Sequence, residues 1–587
     1  MKRIIGLVLV ICLLASFFVS CKPNEKEADL VVYGTIYTAE KENEGIAEAF
    51  AVKDGKYIFV GSKEDAKKYV KDGKTEVIDK TNEGLIIPGC TEGHCHYVGQ
   101  SGIDSLLPCS NCSYKEMIEV LKEQVKKEEI KQFVSFGFNA IEVAERKNAG
   151  ENFTEEIEKI APGVSVVLLD NSAHNAICSK TALEKAGFLE NPELRGGKIY
   201  LDKNGQPTGY VSDQAVYYVL EKAIDKPLSD EKYREACVLS QNTLLRLGYT
   251  NVFDAYTNIY DPTSVNKTLK ELDESGDLSI NVATSYSIMS CDADNYKEKV
   301  DEVVKINEEY KSKHLNPGYI KLFADGVVES GTGWISETYK KPIDGKEHGN
   351  KVWEEEELNS IVKYANSKDL LIHAHTFGDA ACKAALDSFI MSNEENKNEY
   401  RNCLGHVRNI NSEDVVRAAE NKIAIAANLI WHTDYDESNP NDKASKDNIL
   451  SNISEDIYYS GYPMKSLMDK GVIVSNSTDA PAAMTMEGSI LNVLEVATTG
   501  IAPGEDVKPF NENELLSVRE GLQALTINGA WQLGLEKERG SVKVGKYADF
   551  VVLDKNILNY QGEELRTIHD TKILSTYFEG KPAYLSE

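Results

Sequence analysis

The sequence predicts an α/β protein built on a (β/α)8 barrel, and three observations predict it. Eight short apolar, β-branched runs end in polar residues, at 85–88, 250–254, 280–286, 319–324, 370–374, 403–406, 423–429 and 472–476. Helix-period segments such as 354–367 and 379–392 separate most of them. Histidines or acids stand at or just beyond the polar ends of several runs, where a closed parallel barrel gathers its functional side chains.

The chain begins with Lys2 and Arg3, then an apolar run over 4–19 that is short for a membrane span and fits a signal peptide. Ser20-Cys21 follows, with Phe18 three positions before the cysteine where leucine is more usual. This pattern is similar to a bacterial lipobox, so residues 1–21 read as a lipoprotein signal with Cys21 as the lipidated residue, and 22–28 as a linker. The expected location is extracytoplasmic, on the bacterial cell membrane. Short strands with Asp-Gly turns fill 29–84, and the same style returns over 538–587, so both ends are expected to share one small β-sandwich. The barrel would then occupy 85–537.

The gap after the first barrel run is far too long for an ordinary connection, and it holds two more apolar runs, 133–136 and 164–169. An inserted subdomain over about 100–245, roofing the site, is expected there. Nine cysteines follow Cys21 at sparse, irregular spacing, which argues against a disulfide framework. Cys109-Ser110-Asn111-Cys112 is a lone CxxC, a weak zinc signal for which a buried pair or a loop disulfide is the better reading. A net charge of −29 repels phosphate backbones and anionic lipid, which excludes nucleic acid as a partner and leaves the lipid anchor as the sole membrane contact.

The chemistry concentrates at the run ends. His94 and His96, after the first run, face one side of an extended chain and can grip one metal ion. Lys321 stands between apolar residues and is expected inside, where an ammonium needs a partner or a lowered pKa. It is open to two readings: a carbamate formed with carbon dioxide that bridges metals, or a lysine paired with Asp325 or another carboxylate. His373 and His375, His406, and Asp479 before Ala480-Pro481 complete a set of nitrogen and oxygen donors suited to zinc, manganese, iron or nickel. Trp431 and His432, after the seventh run, are candidates to line the pocket.

On these motifs the chain resembles the amidohydrolase superfamily and, within it, amidohydrolase family 3, the group around N-substituted formamide deformylases. The matching stretches are Ile87-Pro88-Gly89 into His94-Cys95-His96, Lys321-Leu322-Phe323-Ala324-Asp325-Gly326, His375-Thr376-Phe377-Gly378-Asp379, Gly405-His406, Ser477-Thr478-Asp479-Ala480-Pro481, and the segment 539–550. The resemblance implies that His94 and His96 hold one metal, His375 and His406 a second, and a carboxylated Lys321 bridges them, with one or two ions, zinc foremost. Asp479 would ligate the first metal and act as general base and acid. His373 falls outside the His-x-x-Gly-Asp spacing and is read as a supporting residue. His174, in Asp170–Ala176, resembles family segments near the pocket and is the leading candidate for substrate contact. Cys90–Gly93 departs from the family pattern, with Glu92 where aspartate is usual.

The activity so implied is hydrolysis of a non-peptide carbon–nitrogen bond in a small-molecule amide. Two alternatives stay open: hydrolysis of cyclic amides or N-acyl amino acids on the same barrel, and a surface lipoprotein that binds metal or solute without catalysis. A homodimer also stays open.

Overall fold

A computed structural model describes residues 27–586 apart from 42–44, 82–83, 99–108, 110–111, 128, 226–227, 344, 436 and 482–486. Cys21 and the leader around it lie outside the described residues. Eight parallel strands form the central sheet in chain order: β1 (Cys90–Cys95), β2 (Tyr249–Asp254), β3 (Asn281–Ser287), β4 (Leu315–Phe323), β5 (Leu371–Thr376), β6 (Cys403–His406), β7 (Ala424–Ala427) and β8 (Val474–Asn476). All residues of β1, β2, β6, β7 and β8 are buried, as parallel strands covered on both faces must be. Inside, Phe253, Ala283 and Tyr319 pack against Leu533 and fill the lower barrel. Helices such as Pro262–Ser275 cover the outside; this one starts with proline in its first turn and stops at left-handed Gly276 (φ 78°).

The seam between β8 and β1 is closed by the segments that carry the predicted site. Asp479 N–H donates to the His94 carbonyl at 2.8 Å, and His96 N–H donates to the Ala480 carbonyl at 2.8 Å. Lower down, Gln532 inserts between the strands, donating through Nε2 to the Gly93 carbonyl at 2.8 Å and accepting from Ser475 Oγ. A Cβ at Gly93 would lie 2.5 Å from Gln532 Oε1 and 2.6 Å from the Asn476 carbonyl, so this crossing requires glycine.

One expected strand belongs elsewhere. Leu85–Pro88 is not the first barrel strand; it pairs with Leu30–Tyr37 and Phe550–Leu553 in the terminal sheet. β1 begins two residues later, beyond Gly89. A short apolar run buried on both faces fits either sheet, and its periodicity does not choose between them. The terminal sheet takes eight strands from both ends of the chain. Asp54 and Gly55, both at positive φ (50° and 76°), turn one of its hairpins, and Phe550 stacks on Tyr577 at 4.3 Å in its core.

Between β1 and β2 stands a five-stranded sheet of Gln132–Phe138, Ser165–Asp170, Asn175–Cys178, Gly197–Leu201 and Pro207–Asp213. Its apolar core runs through Tyr217 into Tyr256 and Phe323 of the barrel, so the inserted sheet docks where β2 and β4 end. Cys109 and Cys112 form a disulfide at its edge. Among the described residues no helix is long and apolar enough to cross a membrane.

Candidate metal centre

His94 sits at the penultimate position of β1 and His96 just beyond the strand. Both imidazoles aim Nε2 at one atom, Asp479 Oδ1, at 3.3 Å for His94 and 3.2 Å for His96. The ligand atoms of these three residues lie within 4.8 Å of one another. Burial, Lys321 and the neighbouring histidines hold the His94 imidazole well below its usual range, so it stays neutral. Burial alone would raise Asp479, but its hydrogen bond with His96 and the charges of His406, His96 and Lys321 bring it down to about 2. A neutral imidazole lone pair facing an ionised carboxylate oxygen is repulsive unless a proton or a cation lies between them. This donor set therefore fits a divalent metal ion.

The second histidine pair is adjacent. The rings of His375 and His406 lie 4.5 Å apart, and that of His406 lies 4.5 Å from His94. Burial first, then neighbouring charge, lowers both imidazoles. His375 Nε2–H donates to the Gly326 carbonyl at 3.1 Å, which leaves its lone pair on Nδ1. His406 Nδ1–H donates to Asn428 Oδ1 at 2.9 Å, which leaves its lone pair on Nε2. His406, Val407 and Asp479 all hold positive φ, 70°, 51° and 59°. Such backbone costs of order 1–3 kcal/mol per residue and is retained where surrounding contacts fix it.

Lys321 does not pair with Asp325. Its Nζ lies 3.4 Å from His94 Nε2 and 5.0 Å from the Phe323 ring, and burial pushes its ammonium down to about 7. The Asp325 carboxylate instead accepts the backbone N–H groups of Phe377, Gly378 and Trp334, fixing the turn that follows His375. Glu92 does comparable work at the seam, accepting from His94 N and Thr478 N at 3.2 and 2.9 Å. The longer acid thus spans the segments that carry His94 and Asp479.

Residues 76–584 match the profile of the amidohydrolase family, Amidohydro_3. The chain belongs to that family. It is accordingly a metal-dependent hydrolase of carbon–nitrogen bonds. It is 26% identical to YtcJ of Bacillus subtilis (strain 168) over 94% of this chain and 98% of that one. It is 23% identical to the N-substituted formamide deformylase of Arthrobacter pascens, again over 94% of this chain and 98% of the relative. In fold it is similar to an uncharacterized metal-dependent hydrolase from Pyrococcus horikoshii OT3, with a TM-score of 0.67, 21% identity, and coverage of 90% of this chain and 98% of the other.

The remaining candidates divide. The His174 ring of the inserted sheet lies 5.6 Å from that of His375, with Nδ1 3.1 Å from Asp213 Oδ1. Burial opposes a charge on His174, but the hydrogen bond and charge of Asp213 raise its pKa above the usual value. Trp431 lies parallel to His406, with ring centroids 5.9 Å apart and planes within 3°. His432 turns the other way and packs edge-on against Phe510 at 5.7 Å. Sequence reasoning missed Asp213 and Asn428, whose side chains each hydrogen-bond to a histidine ring. Both sit at or just past strand ends, but nothing in their local sequence names the ring they meet.

Proposed function

We propose that this amidohydrolase cleaves an amide-type bond of a small molecule, with Asp479 as the proton-transferring group. The carrying observation is the convergence of His94 Nε2 and His96 Nε2 on Asp479 Oδ1. His94, His96 and Asp479 would hold one metal ion, and His375 and His406 would hold a second. A bound divalent cation would supply an acidified water and polarise the scissile carbonyl. Asp479, brought down to about 2 against the pull of burial by its hydrogen bond with His96 and by neighbouring charge, would be ionised at neutral pH, able to take a proton from water and hand it to the departing nitrogen, a poor leaving group until protonated. Lys321 has a share of neutral amine at neutral pH, as carbamate formation requires. His174 would contact the substrate from the roof, and the Trp431 face would bound it beside His406. The named activity of the Arthrobacter pascens relative supports amide-type substrates in preference to other carbon–nitrogen bonds.

The test is hydrolysis of a panel of formamides, acetamides, cyclic amides and N-acyl amino acids by wild type and Asp479→Asn, with metal content measured on both. Wild type should turn over at least one amide, and the variant should lose about 10²–10⁴-fold in kcat. Turnover in Asp479→Asn within tenfold of wild type would remove Asp479 from the proposed role. We further propose attachment to the outer face of the cell membrane through Cys21, supported by the basic start, the apolar run and Ser20-Cys21. Cys21→Ser should abolish metabolic labelling with a fatty-acid analogue; undiminished labelling would refute the anchor.

A further inference from the structure

β5 carries a second inward imidazole one layer below His375. His373 is 1% exposed and stands in register with Lys321 on β4 and Cys403 on β6. Its Nε2 lies 2.9 Å from His94 Nδ1, a hydrogen bond between two buried rings. One flank of His373 packs against Phe253, with centroids 4.6 Å apart. The other is cleared by Gly405: a Cβ there would sit 2.8 Å from His373 Nε2 and 3.1 Å from His94 Nδ1. Phe253 and the bare backbone at Gly405 thus shape a slot that holds the two rings at this contact.

The geometry points to His373 as the positioning residue that sets the tautomer of His94, an inference that rests on the metal-centre reading above. For His94 Nε2 to offer its lone pair to a cation beside Asp479, the ring proton must sit on Nδ1. That N–H then needs a buried acceptor, and His373 Nε2 supplies it, with the His373 proton on its own Nδ1. Both rings are neutral in this arrangement and no proton is gained or lost. A metal-bound histidine is commonly oriented by a carboxylate or a backbone carbonyl; here a second imidazole does it.

The experiment is zinc affinity of the metal-stripped full chain, by competition with a chromophoric chelator, for wild type, His373→Leu, His373→Gln and Gly405→Ala. His373→Leu removes the acceptor and should weaken zinc binding by about 10–100-fold, as loss of an orienting partner does. His373→Gln keeps an acceptor oxygen and should recover most of that loss, a rescue that a packing role alone would not produce. Gly405→Ala intrudes on both rings and should weaken binding even if His373→Leu fails to fold. In ¹⁵N-histidine spectra of the zinc-loaded wild type, His94 should carry its proton on Nδ1. Wild-type affinity in His373→Leu at unchanged Tm, or a loss in His373→Gln equal to that in His373→Leu, would overturn the inference while leaving the metal centre intact. A wild-type chain that binds no zinc would overturn the metal-centre reading itself.

Discussion

Removing the Asp325 carboxylate should loosen the turn that follows His375. The side chain is fully buried and accepts three backbone N–H groups: Phe377 at 3.0 Å, Gly378 at 2.8 Å and Trp334 at 2.9 Å. The Asp325→Ala variant leaves these donors facing a void. Each orphaned buried donor costs about 1–3 kcal/mol, and water entering the space would recover part of it, so a loss of about 3–6 kcal/mol is expected. Asp325→Asn keeps one acceptor oxygen but turns an NH₂ toward an N–H, for a loss of about 1–3 kcal/mol. The turn has no room to adjust, because a Cβ at Gly378 would lie 2.0 Å from the Trp334 carbonyl. Urea unfolding at constant slope measures the loss, and hydrogen exchange of a peptide spanning 371–380 locates it. An Asp325→Ala variant within 1 kcal/mol of wild type, with unchanged exchange there, would refute the view that this carboxylate holds the turn.

Two further predictions concern charge. His314 joins Asp273 at 2.6 Å to Glu579 at 3.0 Å and so ties a barrel helix to the terminal sheet. Burial opposes its charge, but the two acids raise its pKa above 6.5; its contribution is therefore full below 6.5 and lost as pH climbs through the raised value. Hydrogen bonds from His314 and Ser312 overcome burial and bring Asp273 down to about 2, so its share is present above 3.8 and lost as pH falls through about 2. His314→Gln should flatten the fall in stability between neutral and mildly alkaline pH; an unaltered profile would exclude the network as its source. Separately, Lys321→Met removes an amine that burial holds near 7, and should stabilise the metal-free protein by up to about 4 kcal/mol at neutral pH while abolishing turnover. Calorimetry showing no gain in the metal-free form would contradict a buried, strained amine.

The candidate donor types were readable along the chain because strand ends are marked by a change from apolar to polar residues. His94, His96, His375, His406 and Asp479 each follow such a run. The strand that carries the first pair was not readable: Leu85–Pro88 and Cys90–Cys95 are both short and buried, and only sheet pairing assigns one to each sheet. His432 illustrates the same limit. It neighbours Trp431 in sequence, yet one ring stacks on His406 and the other meets Phe510. Adjacent side chains diverge in direction, and local pattern does not say which one faces the centre.

By itself the sequence determined the alternation of strands and helices, the donor chemistry and the place of each donor along the chain. These follow from hydrophobic period and residue type, which are local properties. Tertiary structure alone decided that Asp479 closes the seam against β1, that Asp325 and Glu92 grip backbone amides instead of cations, and that Gly405 clears space for His373 beside His94. Those contacts join residues tens to hundreds of positions apart. Which buried donor meets which acceptor is settled by the closure of the barrel, because every polar group shut inside must find a partner there.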